Sequence, residues 1–447
     1  MITFMPAFLV FTACFLFAII RPKMAIYLPI VFSSAYLVKV QVMGLPSTLL
    51  EVIIIAVLSG VWLGFLKGGF RGRVGAILSA SWRMPLQRSL LCGIALFLVT
   101  ATISALIAPH PHVAWGFWKA MVVEPIIYAL TLFVLIEKEK RAQNIVNALF
   151  AGGVVSVGLS LVNTGFGVDF WRFRGIYDVP NSLALIVAPL CAMGLIGLFA
   201  PPTRWSNLAP PRRWLGALTL LFCAVLVATQ SLAGLMAVAV TVFGAVIFLK
   251  RGWKILVVLG LIFVFGFGLQ AGTGKLSHLL SRQSSSLIAR GQIWFTATRM
   301  IKQHPILGTG LGTFEPNYQN ELRQILKRDK QHTFFACTLP APRSFSEVGG
   351  PVPCVLEWVV RDPHNVIMSF WLNTGLMGLL SMIWLIVVAL KRYWVAFNVA
   401  RDNDGLTMNA SNMLFVAFCV LLIMGLFDVP YWKNDLALIW WVLLLVK

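Results

Sequence analysis

Charge is scarce in this chain. Only 12% of its 447 residues are Asp, Glu, Lys or Arg, about half the share of a soluble domain. Acids are the scarcer sign, 16 against 36 Lys and Arg. The acids of the long connection at about 272–365 form no Asp-x-Asp pair, and His304, His332 and His364 are widely spaced. No metal site is therefore expected; His110 and His112, two residues apart, read as ordinary loop residues. Gly308, Gly310 and Gly312 are not followed by Gly-Lys-Ser/Thr and lack a preceding buried strand, so they read as a turn rather than a nucleotide loop. Internal repeats are lacking too, which argues against a repeat-built transporter or lipid flippase. So does the near absence of acids within the apolar runs, where Glu51 and Glu124 occur, with Asp435 at the very start of the last run.

What is present is apolar length. Hydrophobic residues make up 59% of the chain, in runs long enough to cross a hydrocarbon core of roughly 30 Å. These predict an all-α polytopic transmembrane bundle, with spans near 4–20, 24–42, 48–66, 89–108, 117–136, 143–163, 181–200, 214–230, 232–249, 254–271, 366–390, 409–427 and 434–446. If the first two segments are a re-entrant pair, the thirteen become twelve. Phe4 to Ile20 lacks a small-residue cleavage site, so no cleavable signal peptide is expected. Three regions follow: membrane helices over 1–271, an elaborated loop over 272–365, and the last membrane helices over 366–447.

The net charge of +20 is distributed by side, which speaks against nucleic acid as a partner. Alternate connections carry 20 of the basic residues, from Arg21 and Lys23 to Lys447, while the opposite short loops carry 5. The positive-inside rule makes the first set cytoplasmic. The long connection then faces outward, and with it His364. Within that loop, 284–303 has apolar residues near helical spacing and predicts a helix along the bilayer surface. Residues 304–314 form a Pro/Gly turn and 317–330 a second, more solvated helix. Five cysteines (14, 92, 191, 223, 419) lie in apolar runs as small hydrophobes. Cys337 and Cys354 lie in the outer loop, where a disulfide would close a 16-residue interval and contribute about 3 kcal/mol if the compartment is oxidising.

Against that background RDPHNVIMSFWLNTGLMGLL, 361–380, stands out. Asp362 suits a helix N-cap and Pro363 the first helical position, which puts His364 in the first turn. The positive end of the helix would there hold its imidazole neutral and attract an anion. Gly375 falls about three turns on, on the same face. Outer segments also offer guanidinium groups, whose forks match phosphate oxygens: Arg172 and Arg174 before Pro180, then Arg282 and Arg290, with Arg361 and Asn365 flanking the histidine. Arg172 and Arg282 read as solvated or reaching lipid head groups. For Arg174 and Arg290 both readings stand.

Three stretches in this order resemble the O-antigen ligase and Wzy-type polymerase superfamily. FRGIYDVPNSLAL resembles its Arg-Gly-(x)n-Pro-Asn block. RGQIWFTATRMIKQHPILGTGLGTF resembles its Arg-x-x-x-Trp-(x)n-His-Pro-(x)2-Gly-x-Gly block, and HNVIMSFWLNTG its His-(x)10-Gly block. Together they cover roughly a quarter of the chain. The resemblance implies a GT-C-like, metal-independent, inverting glycosyltransferase of a bacterial inner membrane, with its site facing the periplasm and no cofactor. Its donor would be an undecaprenyl-diphosphate-linked glycan. The acceptor would be a sugar hydroxyl of lipid A-core in a ligase, another lipid-linked repeat in a polymerase, or a protein in an O-oligosaccharyltransferase. His364 would be catalytic, with Arg174 and Arg290 on the diphosphate.

Overall fold

The structure is a computed structural model that describes residues 4–42, 45–66, 82, 84–136, 138–162, 172–199, 212–247, 260, 285–328, 357–404 and 410–445. The expected span at 254–271, save residue 260, and Arg282, Cys337 and Cys354 lie outside the described residues. The remainder is a helical bundle, and the protein is a polytopic helical membrane protein. Among the described residues, five segments are long and apolar enough to cross a membrane: Pro85–Leu106, Pro111–Leu135, Arg141–Val162, Pro180–Leu198 and Val366–Val395. Shorter apolar helices accompany them. Large apolar side chains stay exposed around the outside, among them Trp62, Leu220 and Phe243, a surface suited to lipid tails.

Helix α1 (Phe4–Ile20) packs along α2 (Leu49–Leu66). Between them the expected span 24–42 is not a continuous helix. Pro22 and Pro29 divide it into short helical turns, Pro22–Ala25 and Leu28–Val31, followed by a 3-10 turn at Ser33–Leu37. It ends in a hairpin of β1 (Lys39–Val42) and β2 (Leu45–Thr48), antiparallel with Lys39 opposite Thr48. A proline lacks the N–H that continues a helix and clashes with the preceding turn. Freed carbonyls inside a membrane bundle need partners, and the Tyr128 hydroxyl supplies one by donating to Ile26 O at 2.5 Å.

The chain continues through α3 (Pro85–Leu106), α4 (Pro111–Phe117), a π-helical turn at Trp118–Val123, α5 (Glu124–Leu135) and α6 (Lys138–Val162). Then come α7 (Pro180–Phe199), α8 (Arg212–Thr229) and α9 (Leu232–Ile247). The long connection contributes α10 (Ser285–Gln303) and α11 (Phe314–Arg328), the two helices expected there. Finally α12 (Val366–Asp404), α13 (Ala410–Met424) and α14 (Asn434–Leu445) close the bundle. The core around α14 is aromatic. Trp441 donates to the Tyr431 hydroxyl at 2.9 Å, which donates onward to Met121 O at 2.8 Å.

Buried charges finish the helix ends. At one end of the bundle, Arg141 caps carbonyls at the end of α5 (Phe133 O at 2.6 Å, Ile136 O at 2.8 Å). Arg392 does the same for Leu444 of α14 at 3.2 Å. Cations at helix C-termini meet both the orphan carbonyls and the negative end of the dipole. At the opposite end Glu51 gathers Lys119 (2.5 Å), Ser47 (3.1 Å), Thr48 (3.2 Å) and Asn434 (3.0 Å), joining the hairpin, α2, the π turn and α14.

Helix α12 is discontinuous. Gly375 adopts φ 72° and ψ 179°, outside any helix. The first half is tied at both ends to neighbouring elements. Val366 N–H donates to Gly425 O, just past α13 (2.7 Å), and Ser104, near the end of α3, donates to Asn373 O (2.5 Å). Beyond Gly375 the helix descends along α3, where Gly93 admits Leu385 and Trp384 donates to Ser89 (2.9 Å). The break is filled by the 304–313 turn. Leu376 N–H donates to Ile306 O (2.9 Å), Thr309 N–H to Leu372 O (2.8 Å), and Gly312 N–H to the Asn373 side chain (2.8 Å). Every one of these bonds satisfies a polar group that the break or the turn exposes.

Candidate functional site

His364 lies at the Glu51 end of the bundle, before α12 rather than within it. The helix begins at Val366, and the residue that caps it is Asn365, whose Oδ1 accepts from Ile367 N–H (3.0 Å) and Met368 N–H (3.1 Å). Asp362 instead accepts from His364 N–H at 2.9 Å through Oδ1. The expected first-turn position of His364 is thus corrected, because two side chains compete for the cap and the one nearer the helix takes it. His364 itself has φ +48°, left-handed backbone that a non-glycine residue adopts only when its surroundings hold it there.

Three further bonds hold this backbone. Trp294 of α10 donates its indole N–H to Pro363 O at 2.9 Å, Asn365 donates to Leu426 O at 3.1 Å, and Val366 is fastened to Gly425 as described. The imidazole is aimed at two acids. Its Nδ1 lies 3.6 Å from Asp362 Oδ1 and 3.6 Å from Asp428 Oδ1. These are ion-pair distances rather than hydrogen bonds, and Nδ1 is buried without a hydrogen-bond partner. The side chain as a whole is 34% exposed, so its accessible part is the rest of the ring, which carries Nε2.

The electrostatics run opposite to the lowering expected from a helix dipole. Burial alone would lower its pKa, but the Asp428 and Asp362 carboxylates outweigh burial and raise it above the usual histidine value, with Arg290 acting the other way. Burial raises Asp428 as well, and there His364 and then Lys433 prevail, holding that carboxyl below its ordinary value. For Asp362 burial wins and its pKa is raised. Two carboxylates sharing one imidazole divide their roles in this way: one keeps the charge, the other gives it up more readily. The three donor atoms lie within 4.8 Å of one another, a spacing that would also admit a divalent cation.

The basic residues divide. Arg290 is half-buried on α10, one turn before Trp294, and its charge is felt at His364. Arg174 is exposed in the 172–179 segment. That segment reaches the histidine's own loop where Asp178 meets Arg361 at 3.5 Å, both largely exposed. Arg172 is engaged locally, donating to Thr229 O (3.1 Å) and Asn181 Oδ1 (3.1 Å). The partners the sequence reading missed are Asp428, Lys433 and Trp294. Asp428 follows the apolar run of α13, and an acid there was the available signal. Lys433 donates to Ser182 of α7 at 2.5 Å, tying the Pro-Asn-Ser stretch to the acid cluster.

The fold and this cluster define a multi-pass membrane protein with a His/Asp/Asp centre flanked by arginine at one end of its bundle. Residues 217–336 match the family model described as O-antigen ligase, which supports the O-antigen ligase/Wzy superfamily for this chain. Members of that family are membrane glycosyl-transferring enzymes. The matched stretch includes Arg290 and Trp294; Arg174, Asp362, His364 and Asp428 lie outside it. No curated protein matches the chain.

Proposed function

We propose that the protein is an inverting, metal-independent glycosyltransferase that moves a glycan from undecaprenyl diphosphate to a sugar hydroxyl of lipid A-core, as an O-antigen ligase does. The observation that carries this reading is the buried Nδ1 of His364, 3.6 Å from Asp428, on a ring whose remaining surface is accessible. That pairing sets a carboxylate beside the base's buried nitrogen, as in acyl-transfer triads, here at ion-pair rather than hydrogen-bond distance. The acceptor hydroxyl approaches the Nε2 side, His364 takes its proton as the oxygen attacks the sugar carbon, and Asp428 stabilises the imidazolium. The raised pKa of His364 suits this role by making the neutral ring a stronger base.

Arg290 and Arg174 bind the donor's diphosphate and stabilise the charge that grows on it as the glycosidic bond breaks. The leaving group comes with the donor, so no nucleotide or metal is required. The site faces the periplasm of a bacterial inner membrane, where both lipid substrates reside; the distribution of basic connections supports that orientation. A Wzy-type polymerase would use the same base and clamp with a lipid-linked repeat as acceptor.

The lipopolysaccharide ladder of a deletion strain separates these readings. Uncapped core indicates a ligase and core bearing a single repeat a polymerase; an unaltered ladder overturns both. His364→Ala should cut transfer by about 10²–10⁴-fold, and full transfer by that variant at normal expression removes the proposed base.

A further inference from the structure

The segment that delivers His364 is pinned from α10 at two points. Gln292, buried, donates to Glu357 O at 3.4 Å and to the Tyr318 hydroxyl at 3.2 Å, and that hydroxyl donates to the same Glu357 O at 2.9 Å. Six residues beyond Glu357, the Pro363 carbonyl accepts from Trp294 at 2.9 Å. Residues two apart in one helix thus hold both ends of 357–363. Arg290 sits one turn before Trp294 and so projects from nearly the same face of α10. The residue after the second pin is His364, in left-handed backbone. A carbonyl held from outside restricts the ψ of Pro363 and the φ of His364 that follows, and so fixes where the Cα–Cβ bond that carries the imidazole starts from.

We infer that Trp294 is a positioning residue for glycosyl transfer: its indole N–H fixes the backbone at Pro363 and thereby the separation of the His364 imidazole from the Arg290 guanidinium. This rests on the proposed roles of His364 and Arg290. One helix face then carries both a diphosphate contact and the ruler that sets where the base stands relative to it. Displacing a base by about 1 Å can cost 10²-fold in rate while leaving substrate binding intact. Among the described residues, the other hydrogen bonds at 362–366 come from within the loop, through Asp362 Oδ1, or from Gly425 and Leu426 just past α13, and Arg361 pairs with Asp178; Val360 packs on α10, but Trp294 supplies the α10 hydrogen bond next to His364.

The test compares transfer by the full-length protein in detergent, using a polyprenyl-diphosphate-linked oligosaccharide as donor and rough lipid A-core as acceptor. Trp294→Phe keeps an aromatic ring against the α10–α11 core and removes the N–H. We expect kcat to fall at least tenfold, with KM for the donor within about twofold of wild type. Unchanged kcat overturns the inference, as does an equal rise in KM with kcat preserved, which would mark Trp294 as a binding contact. A second protein with benzothienylalanine at position 294 retains the bicyclic shape and lacks only the donor. It should show the same fall in kcat, and wild-type turnover by it overturns the inference even if Trp294→Phe fails to fold. His364→Ala run beside them separates the two levels. Wild-type transfer by that variant defeats the parent reading, whereas an inactive His364→Ala with a fully active donor-less protein defeats only the role of Trp294.

Discussion

Gly308 and Gly375 meet backbone to backbone. A Cβ on Gly308 would run into the carbonyls of Trp371 and Leu372, and one on Gly375 into Ile306 O. The turn that contains the first glycine is the plug for the helix break that contains the second. Two of the sequence blocks noted above are therefore one structure: the His-Pro-(x)2-Gly block fills the gap in the His-(x)10-Gly block.

Gly375→Ala should destabilise the protein by more than about 1–3 kcal/mol, because φ 72° with ψ 179° belongs to a region essentially restricted to glycine and the added methyl also has no room. Lower yield of monodisperse protein and a lower Tm in detergent would be the readout. Wild-type Tm would mean the break relaxes without cost.

Asp428→Asn keeps the shape of the site and removes the carboxylate that raises the His364 pKa. Transfer should fall by about 10²–10⁴-fold. In the wild type, activity should rise with pH through a limb above the ordinary histidine value of about 6.5, since only the neutral ring accepts a proton. The variant's limb should move to lower pH. A limb that stays in place would assign the titration to another group.

Arg290→Lys preserves the charge and loses the fork. A diphosphate clamp predicts at least a tenfold loss of transfer, and the same for Arg174→Lys. Full activity in both would leave these side chains as contacts to lipid head groups.

Chelation tests the other chemistry that the 4.8 Å cluster would permit. Transfer should be unchanged after EDTA treatment and exhaustive dialysis. Activity that disappears and returns with a divalent ion would convert Asp362, His364 and Asp428 from an acid–base centre into a ligand set.

Glu51→Ala leaves Lys119 and Asn434 without their shared partner. Removing one member of a buried pair costs about 3–5 kcal/mol; Lys119 is 42% exposed, and water recovers part of that, so a loss of about 2–3 kcal/mol is expected. Thermal unfolding in detergent measures it. An unchanged Tm would show that the network adds nothing to stability.

Much of the fold was legible because the rule that writes it is local. An apolar run must find lipid or protein, so the described membrane helices and the two helices of the long connection, the 24–42 stretch apart, fall close to where periodicity and run length put them. The span at 24–42 was misread because hydropathy counts apolar residues and ignores what prolines do to a backbone. The glycines of the turn were recognised as a turn, but nothing local reveals that its carbonyls serve a break some sixty residues away. The clearest misreading at the site was the cap. Asp-Pro-His-Asn holds two good capping residues three apart, and the choice between them was made by Gly425 and Leu426, which fasten Val366 and Asn365.

The amino-acid sequence by itself determined that this is a membrane bundle with one elaborated loop, and it marked His364 and a set of arginines as the unusual groups in an apolar chain. Tertiary structure alone decided the state of that histidine. Asp428 comes to it from beyond the end of another helix, and only the folded distance lets that carboxylate, together with Asp362, outweigh burial and shift the imidazole pKa upward.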